Sequence, residues 1–342
     1  MRFLSLSNRK KIIIASLIVV FSAVVLFCVI VATPAAIGTI DYNKGLTADK
    51  EQRYDEAFTL YQKASNYGIS DAMTNLGVLY GKGRGVRVDY HKAMEWYEQA
   101  ANNGGVIAMS NIAALYYWGE GVPRNYHLAM QWYQKAAAKG DSWSMHKISL
   151  MYYQGTGVTK DAKEGFLWAQ KAAEKGNVES MRDLGFSYAH GLGVAKNHQK
   201  AVGWYQKVIE KYKIAAANGD ADAMYNMAAF YAYGNGVPQN HQKEMQWLQK
   251  SAALGKAAAM FHLGLGYEKG DGVKQDYGLA MQWYQKAAAK NDAAAMKHIG
   301  DLYAEGHGVK KDIPTAINWW KKAAALGHKD AIKELKTNGQ HE

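Results

Sequence analysis

The sequence predicts an all-α protein, an α/α superhelical solenoid of seven helix hairpins that follows a single N-terminal transmembrane helix. Three observations carry that reading. A motif recurs every 36 residues, the 342-residue chain has only four prolines against alanine-rich, methionine-rich runs, and an uncharged apolar segment stands near its start. Fixed periods of 20 to 50 residues mean stacked units, each of which buries its apolar face only against its neighbours. Ala, Met, Gln, Lys and Glu give up little freedom on entering a helix.

In chain order, residues 1–11 are a basic tail with Arg2, Arg9, Lys10 and Lys11. Residues 12–32, "IIIASLIVVFSAVVLFCVIVA", carry no charge and as a helix would span about 31 Å, matching a hydrocarbon core of about 30 Å. A basic flank is retained in the cytoplasm. The expectation is therefore a single-pass anchor in a bacterial inner membrane, N-terminus cytoplasmic and the remainder periplasmic. The competing reading is a cleaved signal peptide, for which "TPAAIG" supplies small residues. The single cysteine, Cys28, lies inside this segment, so nothing after it can form a disulfide. Residues 33–48 read as a linker, and residues 49–71 as a lone capping helix.

From residue 72 to 330 the dipeptides Ala72-Met73, Ala108-Met109, Ser144-Met145, Ser180-Met181, Ala223-Met224, Ala259-Met260 and Ala295-Met296 open seven copies, each 36 residues long except the fourth, which is 43. In each copy an aliphatic residue follows four positions on, a small one five on and a tyrosine eight on, as in Leu76, Gly77 and Tyr80. That spacing is one face of a helix. A GxGV segment comes next, then an Asp or Asn (Asp89, Asn125, Asp161, Asn197, Asn240, Asp276, Asp312) of the kind that caps a second helix. The second helix carries Trp96, Trp132, Trp168, Trp204, Trp247, Trp283 or Trp319 and in most copies ends on glycine, as at Gly104, Gly140 and Gly176. The Met and Trp columns, invariant between copies, are expected to be core. Residues 331–342 read as a C-terminal capping helix and tail.

The pattern AxxxLGxxYxxGxGVxxDxxxAxxWYxxAAxxG, complete in residues 72–104, resembles the Sel-1-like repeat family, relatives of the tetratricopeptide repeats. The resemblance implies an α/α superhelix that serves as an adaptor or scaffold for protein complexes. Cysteine-rich relatives linked to penicillin binding or hydrolysis carry a cysteine pair in each repeat. This chain has no such pairs, so that activity is not expected of it.

Several chemistries fit poorly. The GxG segments look like phosphate loops, but the residue between the glycines runs Arg84, Glu120, Thr156, Leu192, Asn235, Asp271, His307. No P-loop lysine and hydroxyl follow, so the glycines are read as turn residues. His262 and His298 share a column without metal-ligand spacing. No nucleophile with its base stands out from the repeat, and no cofactor, metal or enzymatic activity is expected. Of the formal charge of +11, what lies beyond the basic tail is dispersed, which argues against nucleic acid.

The residues that vary between copies remain. If the likeness to tetratricopeptide repeats holds position by position, the sites one before the opening residue and two, six, nine and ten after it line a concave groove. Those positions hold Tyr117, Trp118, Trp143, His146, Tyr153, Arg182, Phe186, His190, Tyr225, Tyr233 and Phe261. Aromatics that packing does not demand in every copy suit a partner-binding surface, although they also suit gap-filling in the core. The expected function is a membrane-anchored adaptor that binds a protein or peptide partner. The alternatives are an envelope enzyme or cell-wall-glycan binder, and a secreted effector if the N-terminal segment is cleaved. The fourth copy's seven extra residues, in "WYQKVIEKYKIAAANG" (Trp204 to Gly219), are expected to lengthen the second helix in register and raise an exposed knuckle around Glu210–Lys213.

Overall fold

The computed structural model describes residues 33–338 and places them in two compact units that meet in sequence at Asn177 and Val178. The expected membrane anchor, residues 12–32, lies outside the described residues. Among the described residues no helix is long and apolar enough to cross a membrane.

The first unit holds α1 (Pro34–Lys50), α2 (Tyr54–Ser65), α3 (Ser70–Lys82), α4 (Tyr90–Asn102), α5 (Val106–Trp118), α6 (Tyr126–Ala138), α7 (Ser142–Gln154) and α8 (Ala162–Glu174). The second holds α9 (Val178–His190), α10 (His198–Ala217), α11 (Ala221–Tyr233), α12 (His241–Ala253), α13 (Ala257–Lys269), α14 (Tyr277–Ala288), α15 (Ala293–Glu305), α16 (Ile313–Ala325) and α17 (Lys329–Asn338). No strand occurs among the described residues. Odd-numbered helices are the first of each hairpin, and within each unit every helix packs on the next in sequence.

The caps fall where the sequence puts them. Each of the seven Asp or Asn residues accepts a hydrogen bond from a backbone N–H in the first turn of the helix it precedes, as Asp89 does from Lys92 and Asn197 from Lys200. The glycine pair does two separate jobs. Gly83, at φ +66°, ends α3 in the left-handed region. Gly85 presses against the preceding repeat: a Cβ there would stand 2.8 Å from the backbone of Tyr54 at the start of α2. Gly121 and Gly157 meet Tyr90 and Tyr126 in the same way.

The core turns on the second glycine-sized position, in the middle of the first helix. A Cβ on Gly77 would lie 2.6 Å from Cδ1 of Tyr97, and the same relation joins Gly45 to Tyr61, Gly185 to Tyr205, Gly264 to Tyr284 and Gly300 to Trp320. An aromatic ring of the second helix thus lies flat on backbone exposed by the missing side chain. In the third full copy the trade is reversed. Ala169 replaces the ring, Ser149 replaces glycine and donates a hydrogen bond to the Gly165 carbonyl at 2.7 Å, and the Tyr153 ring fills the space over Gly165.

Two expectations change here. The Met column is core at Met73, Met109, Met145, Met181, Met260 and Met296, with Met224 half-buried. The Trp column is not: Trp96, Trp132, Trp168, Trp204, Trp247, Trp283 and Trp319 are all half-buried. Six of them carry a lysine ammonium three residues on over the ring, at 3.9–4.4 Å from the centroid. They form a cation-covered outer seam, and the neighbouring Tyr column takes the buried place. Residues 33–48, expected to be a linker, are helical instead. Thr33 caps α1 by accepting from the Ala36 N–H at 3.3 Å, Pro34 occupies the first turn, and Gly45 receives Tyr61. The 49–71 segment therefore contains the second helix of a complete hairpin rather than a lone cap. The three-residue loop Glu51–Arg53 stands where later copies have seven residues, which breaks the 36-residue period at this point.

Gly77→Ala is expected to destabilise the protein by about 1–3 kcal/mol, because the new methyl must displace a buried ring. Gly81→Ala, in the same helix with nothing closer than 3.9 Å, is expected to be neutral or stabilising by up to ~1 kcal/mol. Urea midpoints of the two variants check the contrast, and equal midpoints would refute the ring-on-glycine account.

Candidate functional site

The predicted residues all lie on first helices or at their ends, and they separate into two groups, one in each unit. In the first unit Tyr117 meets Trp118 and Tyr126 edge-on, with centroids at 4.9 and 5.1 Å. Trp143 packs on Tyr133 at 5.8 Å, and the Lys147 ammonium lies over the Trp143 ring at 4.7 Å. Trp118 is 66% exposed and Trp143 41%. His146 is only 8% exposed and is closed to a partner. Thr74 and Ser110 at the same repeat position are buried as well, their hydroxyls turned back to main-chain carbonyls, whereas Arg182 at that position is exposed. Tyr153 is half-buried and committed to Gly165.

In the second unit Phe186 and Tyr233 are 48% and 76% exposed. His190 stacks on Phe186 with centroids 4.1 Å apart, and its Nδ1 lies 3.0 Å from the Phe186 carbonyl. A cavity of about 260 Å³ brings together Arg182, Phe186 and Tyr233 with three residues that the groove reading had not included, Asp183, Tyr212 and Phe230. A second cleft of about 190 Å³ shares Tyr233 and continues to Tyr225, Glu244 and His262. Phe261 leads on to His262 at 5.4 Å and His298 at 5.4 Å. Both histidines are half-buried, and His262 lines the second cleft.

Burial governs the electrostatics. It raises the Asp183 carboxyl to about 6, with Arg182 opposing and Glu179 adding to the shift. It lowers His262, with Glu244 pulling the other way. Burial would also raise Glu268, but hydrogen bonds from His298 and from the buried Tyr284 hydroxyl outweigh it, and the carboxyl titrates below its usual range. Among the described residues no group of three or more side chains converges as metal ligands do.

The lengthened helix explains the first cavity. α10 runs unbroken for 20 residues where other second helices have 12 or 13, from the Asn197 cap to Gly219. It uses two registers seven residues apart. Tyr205 takes the ring position over Gly185 of α9 and meets Phe230 of α11 at 5.9 Å, and Tyr212, seven residues on, packs on the same Phe230 at 6.2 Å. Gly236 accordingly meets Tyr205, where the equivalent Gly121 meets the first residue of its helix. Glu210, Lys211 and Lys213 are exposed, as the knuckle reading expects, but Val208 and Ile209 are buried. The insertion is a wall of the cleft as much as a projection. The one signal in the sequence was the doubled tyrosine in "WYQKVIEKYK".

A carboxyl held up near 6 in the folded state takes up its proton before the unfolded chain does, so it lowers stability as pH rises through about 6. Asp183→Asn is expected to raise stability at pH 7–8 by on the order of 2 kcal/mol and to leave it nearly unchanged at pH 4. Thermal melting of both proteins across pH 4–8 checks this, and an equal effect at all pH values would refute it.

Comparison with known proteins fits this geometry. The Sel1 repeat model matches residues 38–68, 70–105, 106–141, 144–177, 178–211, 221–256, 257–292 and 293–328, eight segments, the first of them the α1–α2 hairpin. A search of curated proteins found no match. Among solved structures, the chain is similar to a Sel1 repeat protein from Oxalobacter formigenes, 30% identical over 89% of this chain and 86% of that one, with a TM-score of 0.57. It is also similar to a protective antigen of uropathogenic Escherichia coli displaying an SLR fold, 26% identical over 89% and 80%, TM-score 0.46. Yeast Tom70 shares the fold alone, at 12% identity over 88% of this chain and 64% of that one, TM-score 0.54. With the family's repeat matched along most of its length, helix for helix, the chain belongs to the Sel1 repeat family.

Proposed function

We propose that this chain is a membrane-anchored adaptor whose first helices bind a peptide segment or exposed helix of another envelope protein. Sel1 repeats are typically scaffolds for protein interaction, which supports the class of function. The observation that carries the finer reading is the exposure of Trp118, Trp143, Phe186 and Tyr233 on helices that each pack a fully buried face into the core. Large aromatics left in water cost free energy that folding does not recover, and they are the anchors of protein interfaces. The anchor and the periplasmic placement rest on residues 1–32 of the sequence.

The test is crosslinking capture from native membranes with the full-length chain. The Trp118→Ala, Phe186→Ala double variant is expected to lose at least ~90% of the captured partner, as removal of two interface anchors would do, with its melting curve unchanged. Tyr153→Ala is expected to lower the melting temperature instead, because that ring closes over Gly165. Retention on peptidoglycan with no protein captured would overturn the adaptor reading in favour of a glycan binder. A mature mass lacking the N-terminal segment would overturn the anchor.

A further inference from the structure

The cavity between α9 and α11 has a construction that its counterpart in the first unit lacks. There, between α3 and α5, the lining from the first helix comes from its C-terminal half, Val78, Gly81 and Lys82. Here it lies about one turn nearer the N-terminus, at Arg182 and Asp183, with Phe186 at the repeat position that Val78 holds. The seven-residue extension of α10 accounts for the difference. Seating α11 on the second register slides it along α10 by about 10 Å, seven residues at 1.5 Å each. That brings Phe230 and Tyr233 into one lining with Arg182, Asp183 and Tyr212.

The result is a box with aromatic walls and a carboxylate. Phe186, Tyr212, Phe230 and Tyr233 supply ring faces and edges, and Asp183 lies within the lining. Burial above all holds the Tyr212 hydroxyl above its usual range; Arg182 opposes that, and two more acids, Glu179 and Asp220, add to it. Aromatic faces with an adjacent excess of carboxylates attract organic cations and discriminate against anions. We propose that this cavity receives the side chain of a lysine or arginine of the partner polypeptide, its aliphatic stem against the rings and its charged head at Asp183. The proposal rests on the adaptor reading and names the residue type that the second unit selects.

The test uses the full-length chain and four small probes: N-acetyl-lysine methylamide, the arginine analogue, the Nε-acetylated lysine analogue and the glutamate analogue, with binding followed by saturation-transfer NMR. The lysine and arginine probes are expected to saturate with Kd in the range of ~1–10 mM, an affinity suited to one side chain without its flanking peptide. The acetylated and glutamate probes are expected to bind at least about tenfold more weakly. Asp183→Asn and Tyr212→Ala should each weaken the lysine probe by about tenfold, with melting curves confirming that both variants fold. Equal binding of the acetylated probe would make the cavity a plain apolar pocket, and preferential binding of glutamate would make it an anion site through Arg182; either overturns the proposal. The two readings also fail separately. If no probe binds while membrane capture still depends on Trp118, which lies outside the pocket, only the cation pocket is wrong. If the lysine probe binds while capture is insensitive to Trp118→Ala, only the reading of the first unit's exposed aromatics is wrong.

Discussion

An aromatic ring laid on a bare helix backbone is the contact from which the rest of this molecule follows. Where Tyr61, Tyr97, Tyr205, Tyr284 or Trp320 covers the glycine of its partner helix, two helices approach more closely than side chains would ordinarily permit, and the ring is fully desolvated without leaving a void. That closeness fixes the spacing of the hairpin, which fixes where the next repeat can dock. The left-handed glycines and the Asp and Asn caps then serve the contact, since they set the angle at which the second helix returns. The reciprocal exchange at Ser149 and Ala169 shows that shape, and not any one residue, is what is held constant: a hydrogen bond and a borrowed tyrosine occupy the volume that the usual ring would fill.

Much of this could be read from the chain. The period, the two helices of each hairpin, their caps and the turn role of the glycines all follow from residues that repeat, because repeated residues answer to a constraint that every copy shares. The misreadings arose where copies depart from that constraint. α1 reads as a linker because the loop after it is four residues short and it lacks the Ala-Met signature, although Gly45 and Tyr61 make the same contact as Gly77 and Tyr97. Trp reads as the core residue because it stands in all seven copies, whereas the next position holds Tyr in only four, with Ala169, Leu248 and Trp320 in the others. Which of two adjacent helical positions faces inward depends on the crossing of the helices, and the lysine three residues after the tryptophan was the available clue that this ring faces out.

The candidate surface was legible in kind and less so in detail. Exposed aromatics on first helices were anticipated from their irregular occurrence. His146 was not separable from them, since whether its position faces solvent or the neighbouring repeat depends on how closely the helices meet. Asp183 and Tyr212 escaped notice for a different reason. Asp183 belongs to a column that otherwise holds Asn, Lys and His, and Tyr212 lies in the insertion, so neither occupies a position that the groove pattern marks. The cavity they share exists only because one helix satisfies two neighbours at once.

The double register of α10 sets a rule for how such a protein can vary. At 100° per residue, seven residues turn a helix through 700°, within about 20° of two full circuits. A helix lengthened by that amount still presents its apolar stripe to both neighbours. Three extra residues would rotate the stripe by about 60° and four by about 40°, enough to turn a ring such as Tyr212 out of its seat. Length changes that preserve the stack are therefore discrete, and each one trades a translation of the following repeat for a new depression beside it. Duplicating a heptad within one helix is a way for a monotonous array to acquire an individual feature without disturbing the contacts on either side.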